Sequence, residues 1–140
     1  MKSEPLVIQR QINAPADRVW KALTDPTQLE KWFFKFENFR PEPGFEFIIP
    51  DDYPSSCKII EAVKNKRLSY SLSFNQYPSE TIVTFELFDE GETTRLRLSH
   101  EGLENIPAAG NADFEKEKFM KGWGKGLSSL QHYLEVLIYC

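Results

Sequence analysis

At 140 residues the chain has the length of one domain, and its 41% hydrophobic and 27% charged residues are ordinary for a globular protein. A domain of this size buries roughly 70% of its unfolded surface, so folding requires neither a disulfide nor a metal. The formal net charge is −4, and acids interrupt the densest basic stretch, Glu115 to Lys125, which argues against nucleic acid or an anionic membrane surface as partner.

Two cysteines, Cys57 and Cys140, are too few for a disulfide framework and predict free thiols in a reducing compartment. Met1 to Pro5 lacks the apolar stretch of a signal peptide, and no apolar run approaches the roughly 20 residues of a membrane span. Together these predict a cytoplasmic protein. Aromatic residues are abundant at 14%, with 11 Phe, and such bulk predicts a wide core or a lined cavity.

In chain order, Leu6 to Ile12 reads as a strand with Leu6, Ile8 and Ile12 on one face, where Arg10 also falls against the pattern. Ala14-Pro15 opens a first helix with Pro at its first position, and Val19, Trp20 and Leu23 form its apolar side. Asp25-Pro26 starts a second, short helix ending near Trp32-Phe33, with Asp25 as cap and Gln28 at the position of a capping box.

Strands follow, separated by turn signals: Phe45 to Ile49, Ser56 to Val63, Arg67 to Phe74, Thr81 to Phe88 and Thr94 to His100. Turns are predicted at Asp51 to Pro54, Asn65, Gln76 to Ser79 and Glu90-Gly91, and a loop at Gly102 to Gly110. In Arg67 to Phe74, Leu68, Tyr70, Leu72 and Phe74 alternate with Arg67, Ser69, Ser71 and Ser73, as in a strand with one wet face. Short connections predict an antiparallel meander. From about Ala112 the period becomes helical, and Phe119, Trp123, Leu127, Leu130, Leu134 and Leu137 fall in an arc about 80° wide. A sheet with one apolar face and one long amphipathic helix form a single α+β domain, 1–140, in which the helix covers the sheet.

Two runs carry a family resemblance. Arg10, Ala14-Pro15, Val19-Trp20, Ala22-Leu23-Thr24-Asp25-Pro26, Leu29 and Trp32-Phe33 resemble the opening of the SRPBCC (START-like, Bet v 1-like helix-grip) superfamily. More narrowly they are similar to the domain named for the activator of Hsp90 ATPase homologue 1. Gly122-Trp123, Leu127, Leu130 and Tyr133-Leu134 resemble that family's C-terminal helix. The resemblance implies a helix-grip fold: a curved antiparallel sheet of six or seven strands wrapped around the C-terminal helix, with two short helices after the first strand. It also implies a deep cavity between sheet and helix for a small hydrophobic molecule. An Hsp90-type chaperone as partner, or cyclase- or hydrolase-like chemistry in the same cavity, are its other implications.

On that reading the candidate ligand-binding residues are Trp32, Phe47, Tyr70, Leu72, Phe85, Leu98, His100, Phe119, Trp123, Gly126 and Tyr133. His100 follows the apolar phase of its strand, as a polar anchor or proton donor in the cavity or, more plainly, as a strand-end histidine at the rim bonded to backbone or water. Tyr70 and Tyr133 are candidate polar groups in an apolar space, with protein-bonded core tyrosines as the plainer reading. Gly122, Gly124 and Gly126 each cost a helix about 1 kcal/mol against Ala, so they need a reason, either close packing or a bend, or space for a ligand. Glu101 and Glu104 flank Gly102 and could serve as acid and base only if buried and pushed apart in pKa, with exposed loop acids as the plainer reading. Two histidines and two cysteines at unrelated spacings form no metal site, and no phosphate loop or serine elbow points to a cofactor or to catalysis.

Overall fold

The computed structural model describes residues 5–36, 38–50, 54–74, 80–103 and 116–136, for Lys116 and Glu117 the backbone alone. The predicted turns at 51–53 and 76–79, most of the loop after Gly102 with Glu104, the helix start at Ala112, and Leu137 and Cys140 lie outside the described residues.

Strand β1 (Leu6–Ile12) is followed by helices α1 (Ala16–Thr24) and α2 (Pro26–Trp32). Pro15 is not the first helical residue but the N-cap of α1, extended at φ −70° and ψ 158°. Asp25 joins the two helices. Its backbone N–H closes α1 on the Lys21 carbonyl at 2.8 Å, and its Oδ1 accepts from the Thr27 amide at 2.9 Å to cap α2. That backbone N–H is therefore already used, and Asp25 with Gln28 forms no capping box.

The chain then reaches the far edge of the sheet as β2 (Glu46–Ile49) and returns through β3 (Ser55–Val63), β4 (Arg67–Phe74), β5 (Thr81–Asp89) and β6 (Thr94–Glu101). The six described strands are all antiparallel, in the order β1-β6-β5-β4-β3-β2. Asn65 turns the chain between β3 and β4 at φ 64°, a left-handed conformation that Asn tolerates better than most residues. The outer face is drier than the alternation predicts, because Ser69 and Thr84 are buried and hydrogen-bonded to each other at 3.1 Å.

Helix α3 (Lys116–Val136) lies against the inner face. No described helix is long and apolar enough to cross a membrane. The helix has three sides. Leu127, Leu130 and Leu134 form a fully buried ridge that continues as Phe119 and Trp123. One flank is tied to β1 and the residue after it: Gln131 Nε2 donates to the Gln11 carbonyl at 3.0 Å, and Glu135 Oε2 accepts from the Asn13 amide at 3.0 Å. On that flank a side chain at Gly124 would stand 3.7 Å from the Arg10 guanidinium. Arg10 thus points inward, with its head beside bare helix backbone. The other flank carries Lys118, Gly122, Lys125, Gly126 and Ser129 within an arc of about 100°. Removing the ridge should destabilise without touching that flank: Leu130→Ala is expected to cost about 2–5 kcal/mol in urea unfolding, and a loss under 1 kcal/mol would contradict this packing.

Candidate functional site

The second flank of α3 faces open space. A cavity of about 450 Å³ lies between it and one end of the sheet. Its walls are the end of α2 and the residues after it (Trp32, Phe33, Phe34), the strand ends Ile49, Ser55, Leu72, Phe74 and His100, and Lys118 to Ser129 on the helix. Register explains why these strand residues meet. Ile49 pairs with Ser55 and Ser55 with Phe74, so β2, β3 and β4 finish at the same border of the sheet.

The glycines make the opening. A Cβ built at Gly122 or Gly126 meets nothing within 4 Å, and both residues line the cavity. Close packing at these two positions is thereby ruled out. At Gly124, on the opposite flank, a Cβ would make only an ordinary contact, 3.7 Å from the Arg10 guanidinium.

The aromatic wall is continuous. Trp32 stacks on Phe33 at 5.0 Å, Phe33 stacks on Trp123 at 6.3 Å, and Phe119 meets Phe74 at 5.8 Å and the His100 ring edge-on at 5.4 Å. Trp32 is held by its indole N–H, which donates to the Ala22 carbonyl at 2.7 Å.

His100 is completely buried, not at a rim, and its partners are side chains. Thr81 spends its hydroxyl hydrogen on the Leu72 carbonyl at 2.8 Å. The 2.8 Å contact between Thr81 Oγ1 and His100 Nε2 therefore requires the hydrogen on Nε2. Nδ1 is left bare and accepts from the Trp123 indole N–H at 3.1 Å. The resulting chain runs Trp123 to His100 to Thr81 to Leu72 and ties α3 to β6, β5 and β4. Both imidazole nitrogens are engaged, which suits a positioning residue for Trp123 better than a proton donor to a ligand.

Of the other residues expected at the site, Trp32, Leu72, Phe119, Trp123 and Gly126 line this cavity with His100. Phe47, Leu98 and Tyr133 do not: Leu98 is fully buried, and Phe47 and Tyr133 pack on the core half-buried. Tyr70 and Phe85 border a separate void of about 20 Å³, room for about one water. Burial pushes the Tyr70 phenol well above its usual range, with Cys57 adding, and pushes the Cys57 thiol up to about 12, so neither supplies a reactive anion near neutrality. Sequence reasoning anticipated space at Gly122 but missed Phe33, Phe34, Ile49, Ser55, Phe74, Lys118, Lys125 and Ser129. Phe33, Phe34, Ile49, Ser55 and Phe74 lie at or just beyond the ends of elements, which in/out alternation does not register, and the helix residues lie on the polar flank of α3. Among the described residues no three His, Cys, Asp or Glu side chains converge as a metal site.

Burial lowers the His100 pKa to about 4 from an ordinary 6.5. The unfolded chain therefore takes up this proton first. The stability tied to neutral His100, on the order of 3 kcal/mol, is whole above pH 6.5 and is lost as pH falls towards 4. Imidazole NMR should find His100 still neutral, with the hydrogen on Nε2, at pH 5.5. A protonated ring at that pH would contradict the assignment.

Comparison with known proteins agrees with this fold. The profile of the family described as Activator of Hsp90 ATPase homolog 1-like protein matches residues 13–135. Among solved structures, protein MLL2253 from Mesorhizobium loti is 27% identical, with 94% of this chain and 97% of that one covered at a TM-score of 0.77. CalU16 from Micromonospora echinospora is 25% identical over 93% of this chain and 75% of its own, at a TM-score of 0.75. The Aha1 dimer from Colwellia psychrerythraea, at 20% identity, shares the fold at a TM-score of 0.79, with 96% and 98% covered. No curated protein sequence matches significantly. With a sheet gripping its C-terminal helix and a family match over most of its length, the chain belongs to the Activator of Hsp90 ATPase homolog 1-like family.

Proposed function

We propose that the protein binds a small, mainly apolar molecule in the cavity between the glycine-bearing flank of α3 and the end of the sheet. The observation that carries this reading is the open space above Gly122 and Gly126. Two helix-weakening residues, costing about 1 kcal/mol each, stand where nothing requires their smallness except the emptiness itself. The volume, about 450 Å³, falls within the range of roughly 300–1,000 Å³ common to small-molecule sites. A ligand burying about 300 Å² of apolar surface would gain roughly 7 kcal/mol before association costs, so a pre-formed wall matters. The Trp123–His100–Thr81 chain supplies that pre-organisation at the wall's centre.

The family's name supports a second reading, an Hsp90-type chaperone as partner. It predicts measurable stimulation of the ATPase of the host cell's own Hsp90, and no binding to that chaperone would remove it.

The cavity reading separates stability from binding. Gly126→Ala should stabilise the protein by about 0.5–1 kcal/mol through helix propensity. Gly126→Leu should remain folded by circular dichroism and lose binding of a neutral apolar fluorophore such as N-phenyl-1-naphthylamine at least tenfold. Unchanged affinity in Gly126→Leu would overturn the proposal.

A further inference from the structure

The ligand's polar end is legible in the charge of the walls. The chain as a whole is acidic, at −4, yet the described residues lining the cavity include two lysines, Lys118 and Lys125, and no Asp or Glu. The two lysines are seven residues apart on one helix face, about 10 Å along the axis. Between them lies Gly122, with no side chain and no neighbour within 4 Å of where one would be. Two long, flexible ammonium stems thus flank a bare stretch of helix at the border of an aromatic space. Deeper in, the imidazole of His100 is committed to Trp123 and Thr81 and offers no free hydrogen. The cationic groups of the described lining are therefore all on one wall, that of the helix.

We infer that the cavity takes an amphipathic anion: an apolar, ring-sized body against Trp123, Phe119 and Phe33, with a single acidic group held over Gly122 between Lys118 and Lys125. This rests on the cavity reading above and adds the charge of the ligand to it. Both lysines are exposed, so each contributes through partly screened attraction, and the effect is salt-dependent. The anionic end stays near water while the body gives up its hydration, which avoids the cost of burying a charge.

The test is a matched pair of fluorophores with one skeleton: 8-anilinonaphthalene-1-sulfonate, which is anionic, and neutral N-phenyl-1-naphthylamine. Titrations use the intact protein, the double variant Lys118→Gln/Lys125→Gln, and Lys121→Gln as control, since Lys121 is exposed on the same helix and does not line the cavity. The double variant is expected to weaken the sulfonate about tenfold, the equivalent of about 1.4 kcal/mol. The neutral probe should stay within about twofold in all three proteins, and the control should resemble the parent. Raising salt should weaken the sulfonate in the parent and much less in the double variant. If both probes bind parent and double variant alike, the anion inference fails and the cavity reading stands. If neither probe binds the parent, both fail. If Lys121→Gln weakens the sulfonate as much as the double variant does, diffuse helix charge explains the binding and the inference is overturned.

Discussion

One helix cannot fill the concave face of six strands, and the rest of the architecture follows from that mismatch. At about 4.8 Å per strand spacing the sheet is about 24 Å across, whereas a helix with side chains is about 10–12 Å wide. Helix α3 lies where its ridge of Leu127, Leu130 and Leu134 is fully covered and its flank bonds to β1 and the residue after it through Gln131 and Glu135. Helices α1 and α2 bring Val19, Leu23 and Leu29 to the core. What remains lies beside the N-terminal half of α3, and there the helix carries Gly122 and Gly126 where it could have carried apolar side chains.

The aromatic wall of the void is braced at its centre. Here the brace is polar. Trp123 is gripped through its indole by His100, His100 by Thr81, and Thr81 by the Leu72 carbonyl. Every hydrogen in that chain has a donor and an acceptor, so its burial carries no unpaired group. Burial keeps His100 neutral, and the engagement of both its ring nitrogens assigns it to holding the wall. A wall that is rigid before the ligand arrives is the condition under which burial of a small molecule yields useful affinity.

Much of the fold was legible in sequence, because it rests on periodicity. The alternation of Leu68, Tyr70, Leu72 and Phe74 and the four-residue spacing of Phe119, Trp123 and Leu127 report faces directly. Faces are not depths, however. Tyr70 and Leu72 share a face, yet Leu72 reaches the cavity and Tyr70 packs on Phe47 and Phe85 beside a void too small for a ligand. Which of two same-face residues meets open space depends on where the strands end together, and that depends on register across β2, β3 and β4. Arg10 illustrates the same limit: its inward position breaks the strand pattern, and its guanidinium lies beside Gly124, more than a hundred residues later. Of three glycines close in sequence, Gly122 and Gly126 lie on the cavity flank and Gly124 on the β1 flank, divided by the ridge between them.

The three tryptophans report on the central claim, because Trp32 and Trp123 line the cavity and Trp20 is buried in the core without lining it. The decisive measurement is the indole ¹⁵N–¹H NMR spectrum during titration with a neutral apolar probe. The account predicts that the Trp123 and Trp32 signals shift saturably while Trp20 stays still. Saturable binding that leaves Trp123 and Trp32 unmoved would contradict it, as would the absence of binding by any apolar probe of this size.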